Sequence, residues 1–144
     1  MRDYSKIEAW HLADDLTVAI YVQSRSFPRE ELYGLTSQLR RAASSVPANI
    51  VEGSARESKK EYLHFLYIAR GSLAETQYFI HLTKRLDYMS ESDAQELVAQ
   101  GRRTFACLHG LIQAVERDGG KSTDLLLPSP VCSSSPARGP ARVL

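Results

Sequence analysis

Only two cysteines, Cys107 and Cys132, occur in 144 residues. That is too few for a disulfide framework, and reduced thiols fit a cytoplasmic setting. No apolar run approaches the roughly 18 residues needed to cross a membrane. The start, Met1-Arg2-Asp3-Tyr4-Ser5-Lys6, has no apolar stretch of the kind a signal peptide needs. Surplus charge is missing too. A net charge of +1 means that any nucleic-acid role must come from a local patch and not from the whole molecule. Glycine and proline are sparse before residue 119, and no segment alternates with period two for long enough to make a strand. A glycine-rich phosphate loop and a nucleophile elbow are both absent, and no constellation of residues points to catalysis or to a cofactor.

Helical periodicity is what remains. The spacing predicts four helices, over residues 6–25, 30–55, 59–86 and 91–118. In the first, Ser5 and Glu8 read as a capping box, followed by Ala9, Leu12, Ala13, Leu16 and Ile20 at helical spacing. Pro28 precedes the second, which contains Pro47 and is expected to kink there without breaking. Ser58 and Glu61 cap the third, with Tyr62, Phe65, Leu66, Ala69, Leu73, Thr76 and Ile80 as its stripe. Ser90 or Ser92 caps the fourth, whose seam reads Ala94, Val98, Gly101, Phe105, Leu108, Ile112 and Val115, with Gly119-Gly120 as its stop. Short connections favour antiparallel neighbours, hence an all-α, up-down-up-down four-helix bundle over residues 1–118. Residues 119–144 are rich in Ser and Pro and read as a disordered tail. Leu125-Leu126-Leu127 within it is either a docking motif or part of a solvated extension.

A pair of Glu-x-x-His motifs, Glu8/His11 and Glu61/His64, has the spacing used by ferritin-like di-metal bundles. At about 100° per residue, however, both pairs point away from the core stripes. The reading is therefore no metal site. His81 and His109 have no ligand at a suitable spacing, and Cys107 reads as a small apolar residue beside the fourth helix's seam.

On the second helix Gln38, Arg41, Ser45, Asn49 and Glu52 fall within about 80° of one another. They form either a solvated face or a polar network at a helix–helix or subunit contact. The third helix is apolar on more than one side. Ile68, Phe79 and Leu82 lie off its main stripe, with Leu63, Tyr67 and Tyr78 on a third side. Surplus apolar surface of this kind marks an oligomer interface. Charge is uneven as well. Residues 32–90 hold eight basic side chains (Arg40, Arg41, Arg56, Lys59, Lys60, Arg70, Lys84, Arg85) against five acidic ones. Clusters lie at Arg56/Lys59/Lys60 and Lys84/Arg85, and no aromatic–basic platform for stacking bases is evident.

The stretch from Tyr33 to Ala42, Ala48-Asn49-Ile50-Val51-Glu52-Gly53, Lys60-Glu61-Tyr62 and Ile68-Ala69-Arg70-Gly71-Ser72-Leu73-Ala74-Glu75 together resemble the family of proteins from intervening sequences of bacterial 23S ribosomal RNA genes. The resemblance covers about residues 4–117. It is similar in fold to the accessory variability determinant of diversity-generating retroelements, which resembles a pentameric barrel, binds nucleic acid and partners a reverse transcriptase. The resemblance implies a ring-shaped homo-oligomer, a pentamer. The function expected is therefore a non-enzymatic oligomeric bundle that binds RNA or DNA, or a nucleic-acid-processing partner such as a reverse transcriptase. Phosphate contacts would come from Arg40, Arg56, Lys59, Lys60, Arg70, Lys84 and Arg85. The alternatives are a scaffold that binds only protein and, more remotely, a ferritin-like di-metal protein.

Overall fold

The computed structural model describes residues 1–118. The expectations for the tail and for Gly119-Gly120 lie outside these residues. Four helices form: α1 (Glu8–Gln23), α2 (Leu35–Ser54), α3 (Lys59–Arg85) and α4 (Glu91–Arg117). Each packs on the next, and α4 closes back on α1, giving a four-sided bundle. Cross-bonds fix the antiparallel sense. Thr17 meets the Ala43 carbonyl and Arg40 meets Ser24 between α1 and α2. Ser45 meets Ser72 between α2 and α3. Between α3 and α4, Tyr67 meets Glu116 and Gln77 meets Val98.

The core follows the stripes predicted for the first and third helices, and α2 adds a stripe of its own. Leu16 and Ile20, Leu39, Val46 and Ile50, Leu66, Leu73 and Ile80, and Leu97, Leu108 and Ile112 are all fully buried. Helix α4 departs from the expected seam. Phe105 is 42% exposed, and Leu97 and Thr104 are buried in its neighbourhood instead. Thr104, one residue before Phe105 and about 100° round the helix, takes the inward position, its hydroxyl donating to the Gln100 carbonyl.

Helix starts differ from the expected ones where a side chain found another partner. Ser5 does not cap α1. Its N–H and hydroxyl both go to the Asp3 carboxylate at 3.0 and 2.6 Å, closing a short 3₁₀ turn at Tyr4–Lys6 ahead of an α1 that begins after Ile7. Helix α2 begins at Leu35, not near residue 30. Residues Arg29–Glu31 form a separate 3₁₀ turn, and the Glu31 carboxylate accepts the Leu35 N–H at 2.9 Å. Ser58 and Ser90 do cap α3 and α4, accepting from Glu61 N–H and Asp93 N–H at 3.1 Å each. Two residues past the end of α3, Asp87 takes a left-handed φ of 58°. The N–H groups of Asp87 and Tyr88 return to the carbonyls of Lys84 and Thr83, which satisfies two otherwise open carbonyls of the last turn.

Pro47 sits inside α2 and is buried, yet the helix runs unbroken through it. Having no N–H, it cannot donate to the Ala43 carbonyl four residues back. The Thr17 hydroxyl of α1 lies 3.0 Å from that carbonyl and 2.8 Å from the Ala13 carbonyl of its own helix, so its single proton is shared between the two acceptors. Removing it should cost about 1–2 kcal/mol. Thr17→Val should thus lower the urea midpoint in the native chain but much less in a Pro47→Ala background, where residue 47 can donate again. Equal losses in both backgrounds would disprove the link.

Helices α2 and α3 approach closely at Gly53, where an added Cβ would meet the Phe65 Cβ at 2.9 Å and the Tyr62 carbonyl at 3.3 Å. At Gly71, on the outside of α3, an added Cβ meets nothing within 4 Å. The same change should therefore act in opposite directions. Gly71→Ala should stabilise by about 0.5–1 kcal/mol through backbone entropy, and Gly53→Ala should destabilise. Thermal melts of the two variants read the difference directly.

Candidate nucleic-acid interface

The basic residues expected to touch phosphate are mostly occupied within the chain. Lys59, at the first position of α3, donates to the carbonyls of Glu116 and Asp118 at 3.0 and 2.6 Å, so its charge sits at the negative C-terminal end of α4. Arg56 pairs with Glu52 at 3.1 Å and lies 4.0 Å from Glu61, with its guanidinium over the Phe65 ring at 5.0 Å. Arg40 donates to Ser24 at 2.8 Å and covers Tyr21. Lys84 pairs with Glu91 at 3.4 Å. Of the expected set, Lys60 and Arg85 are exposed and make no ion pair among the described residues, and half-buried Arg70 lies over Tyr67. Arg56 and Lys60 line a shallow, open depression of about 480 Å³ with Glu61, His64 and Phe65. The two basic clusters sit at opposite ends of the 27-residue α3, about 40 Å apart.

The polar stripe of α2 divides into two parts. Ser45 and Asn49 are half-buried against α3. Ser45 Oγ is 2.9 Å from Ser72 Oγ, and the Asn49 amide donates to Ser45 O and Oγ at 2.7 and 2.9 Å. Gln38, Arg41 and Glu52 are exposed. The side chains proposed for self-association lie along the edge of α3 that faces α2. Ile68 is 39% exposed, whereas Phe79 and Leu82 are half-buried and Phe79 packs on the core. Glu8, His11, Glu61 and His64 are all on the outside of the bundle. The His11 ring bonds the Ser5 carbonyl at 2.5 Å and Glu61 completes the α3 cap.

Sequence reasoning set Tyr67 and Tyr78 off the main stripe of α3 but put Phe105 in the core seam, and so missed the group of exposed aromatics that α3 and α4 form together. Phe105 and His109 stack on the outside of α4, with ring planes 6° apart and centroids 6.2 Å apart. Tyr67 and Tyr78 are exposed on α3. A hydrogen bond of 2.6 Å to Glu116 holds the Tyr67 hydroxyl and, with some loss of solvation, raises its pKa. The signal was present in the sequence: 67, 71, 74 and 78 share one helical seam, as do 102, 105 and 109.

A model of the family described as "23S rRNA-intervening sequence protein" matches residues 5–110. The chain belongs to that family. Its bundle is similar to a crystal structure of a protein with unknown function from the S23 ribosomal protein family of Bacteroides thetaiotaomicron VPI-5482. That likeness has a TM-score of 0.67 at 20% identity and covers 73% of this chain and 98% of that one, and it speaks for the fold. No curated protein matches the chain.

In this member of the 23S rRNA-intervening sequence protein family, burial decides which polar residues matter for stability. Asn49→Ala strips Ser45 of a partner in a half-buried setting and should cost about 1–2 kcal/mol. Glu52→Ala breaks only an exposed i,i+4 pair and should cost less than about 0.5 kcal/mol. Chemical denaturation of both variants measures the contrast, and a larger loss at Glu52 would place that carboxylate in a buried subunit contact.

Proposed function

We propose that this chain is a non-enzymatic homo-oligomeric bundle, a ring and specifically a pentamer, that holds RNA or DNA by its phosphates. The observation that carries the assembly reading is a pair of unlike apolar patches on opposite sides of the bundle. On α1, Val18 and Val22 are 57% and 49% exposed beside Asp14 and Asp15. On the α2–α3 edge, Ile68 is exposed near half-buried Phe79 and Leu82, with exposed Arg41 on the same side. Neither the aspartates nor Arg41 makes an ion pair among the described residues. Two complementary patches on opposite faces suit head-to-tail contacts, which close into a ring when the rotation between successive copies divides the full circle.

A ring repeats Lys60, Arg70 and Arg85 around one axis. A few weak phosphate contacts per copy then add up to a strongly salt-dependent interaction. Backbone contact of this kind reads no base sequence. A reverse transcriptase or another nucleic-acid-processing enzyme is the natural protein partner for such a ring in the cytoplasm. The second reading, a scaffold that binds protein alone, is favoured by the internal engagement of Arg40, Arg56, Lys59 and Lys84.

Light scattering should give a mass several times 16.1 kDa, and Val22→Glu or Ile68→Glu should each lower it. Mixing those two variants should give dimers and nothing larger, because only one intact pair of faces remains. Gel shifts with RNA and DNA should weaken steeply as salt rises, and Lys60→Glu with Arg85→Glu should weaken them further. A monomeric native chain removes the ring, and an oligomer that binds no nucleic acid at low salt leaves the scaffold.

A further inference from the structure

We propose that the outer α3–α4 face is a stacking platform for unpaired nucleotides of a single strand. This rests on the nucleic-acid reading above and names the form of nucleic acid that is held. Hydrogen bonds from Tyr67 to Glu116 and from Gln77 to the Val98 carbonyl set the register of the two helices. In that antiparallel register Arg70 stands level with His109, and Ala74 with Phe105. The face therefore collects Tyr67 and Tyr78 from α3 and the Phe105–His109 stack from α4, with Arg70 over the Tyr67 ring at 5.1 Å. Arg102, one turn before Phe105, is exposed and makes no ion pair among the described residues.

The shape suits bases. Between Tyr67 and Tyr78 the α3 seam carries only Gly71 and Ala74, both exposed, and the space above Gly71 is open. The aromatics thus stand as posts on either side of a low floor. Eleven helical residues separate the two tyrosines, a span of about 16 Å. At about 3.4 Å per stacked base this is room for about four or five nucleotides. Aromatic rings that accept bases of any identity, interleaved with cations that meet the phosphates, are the features of sequence-tolerant single-strand binding. Duplex bases, already stacked and paired, cannot use the rings. The cations also argue against an apolar partner, since Arg70 and Arg102 would lose water without gaining a counter-charge. The Glu116 carboxylate lies beyond Tyr67 and ends the platform on that side. The platform lies on the α4 side of α3 and the proposed assembly edge on its α2 side, with the Tyr78 and Phe79 rings 5.6 Å apart where the two adjoin, so a strand and a neighbouring copy would use different sides of the helix.

The test measures fluorescence anisotropy of labelled 10-nucleotide oligo(U) and oligo(dT), and of a 10-base-pair duplex, at low salt. Phe105→Ala with Tyr78→Ala should weaken the single strands by at least about tenfold, since each change removes a ring on which a base stacks. Duplex affinity and oligomer mass should stay unchanged. Gly71→Leu, which fills the floor from a position with no neighbours, should do the same without disturbing the core. Lys60→Glu with Arg85→Glu should weaken strand and duplex alike. Variants that bind single strands as tightly as the native chain overturn the platform while leaving the phosphate reading intact. A native chain that binds neither strand nor duplex overturns both. Variants that lose oligomer mass along with binding overturn it in favour of a second copy on this face.

Discussion

A helix in a four-sided bundle can hide one stripe of side chains, and α3 carries apolar residues on more sides than that. This constraint organises the molecule. Tyr62, Leu66, Leu73 and Ile80 take the inward stripe. Ile68, Phe79 and Leu82 are pushed to one edge and Tyr67 and Tyr78 to the outside. The proposed self-association edge and the proposed nucleotide platform thus fall on different sides of a single helix through its 3.6-residue repeat, one beside α2 and the other beside α4.

The same constraint explains what was legible in the sequence. The core stripes could be read because burial follows periodicity, and the serine caps of α3 and α4 could be read because each serine accepts the N–H three residues on. The start of α1 could not, since Asp3, just two residues before Ser5, captured the serine that looked like the cap. Nor could the start of α2, where Glu31 reaches forward to Leu35 across the turn. Phe105 was misplaced by a single step of the seam, and that step moved a ring from the core to the surface.

Charge was the least legible property, because a lysine's role depends on what lies across the bundle. Lys59 and Lys60 are neighbours of one type in one helical turn. The first is tied to the end of α4 by two carbonyls and the second is exposed. Counting basic residues along the chain gives both the same weight, but only the antiparallel packing of α3 on α4 separates them. For the polar stripe of α2 the dividing factor is the Ser72 hydroxyl, which draws Ser45 and Asn49 inward and leaves Gln38, Arg41 and Glu52 outside.

The proline inside α2 reaches beyond its own turn. With Pro47 in place, α2 cannot satisfy the Ala43 carbonyl from within, and the donor it uses belongs to α1. The middle of α2 is therefore complete only while α1 is docked. The two helices behave as one cooperative unit: opening α1 exposes an unmet acceptor at the centre of its partner, so local fluctuations of either helix are coupled to those of the other. A residue that usually weakens a helix here ties the middle of α2 to α1, so the hairpin they form, and not α2 alone, is the unit in which the Ala43 carbonyl meets a protein donor.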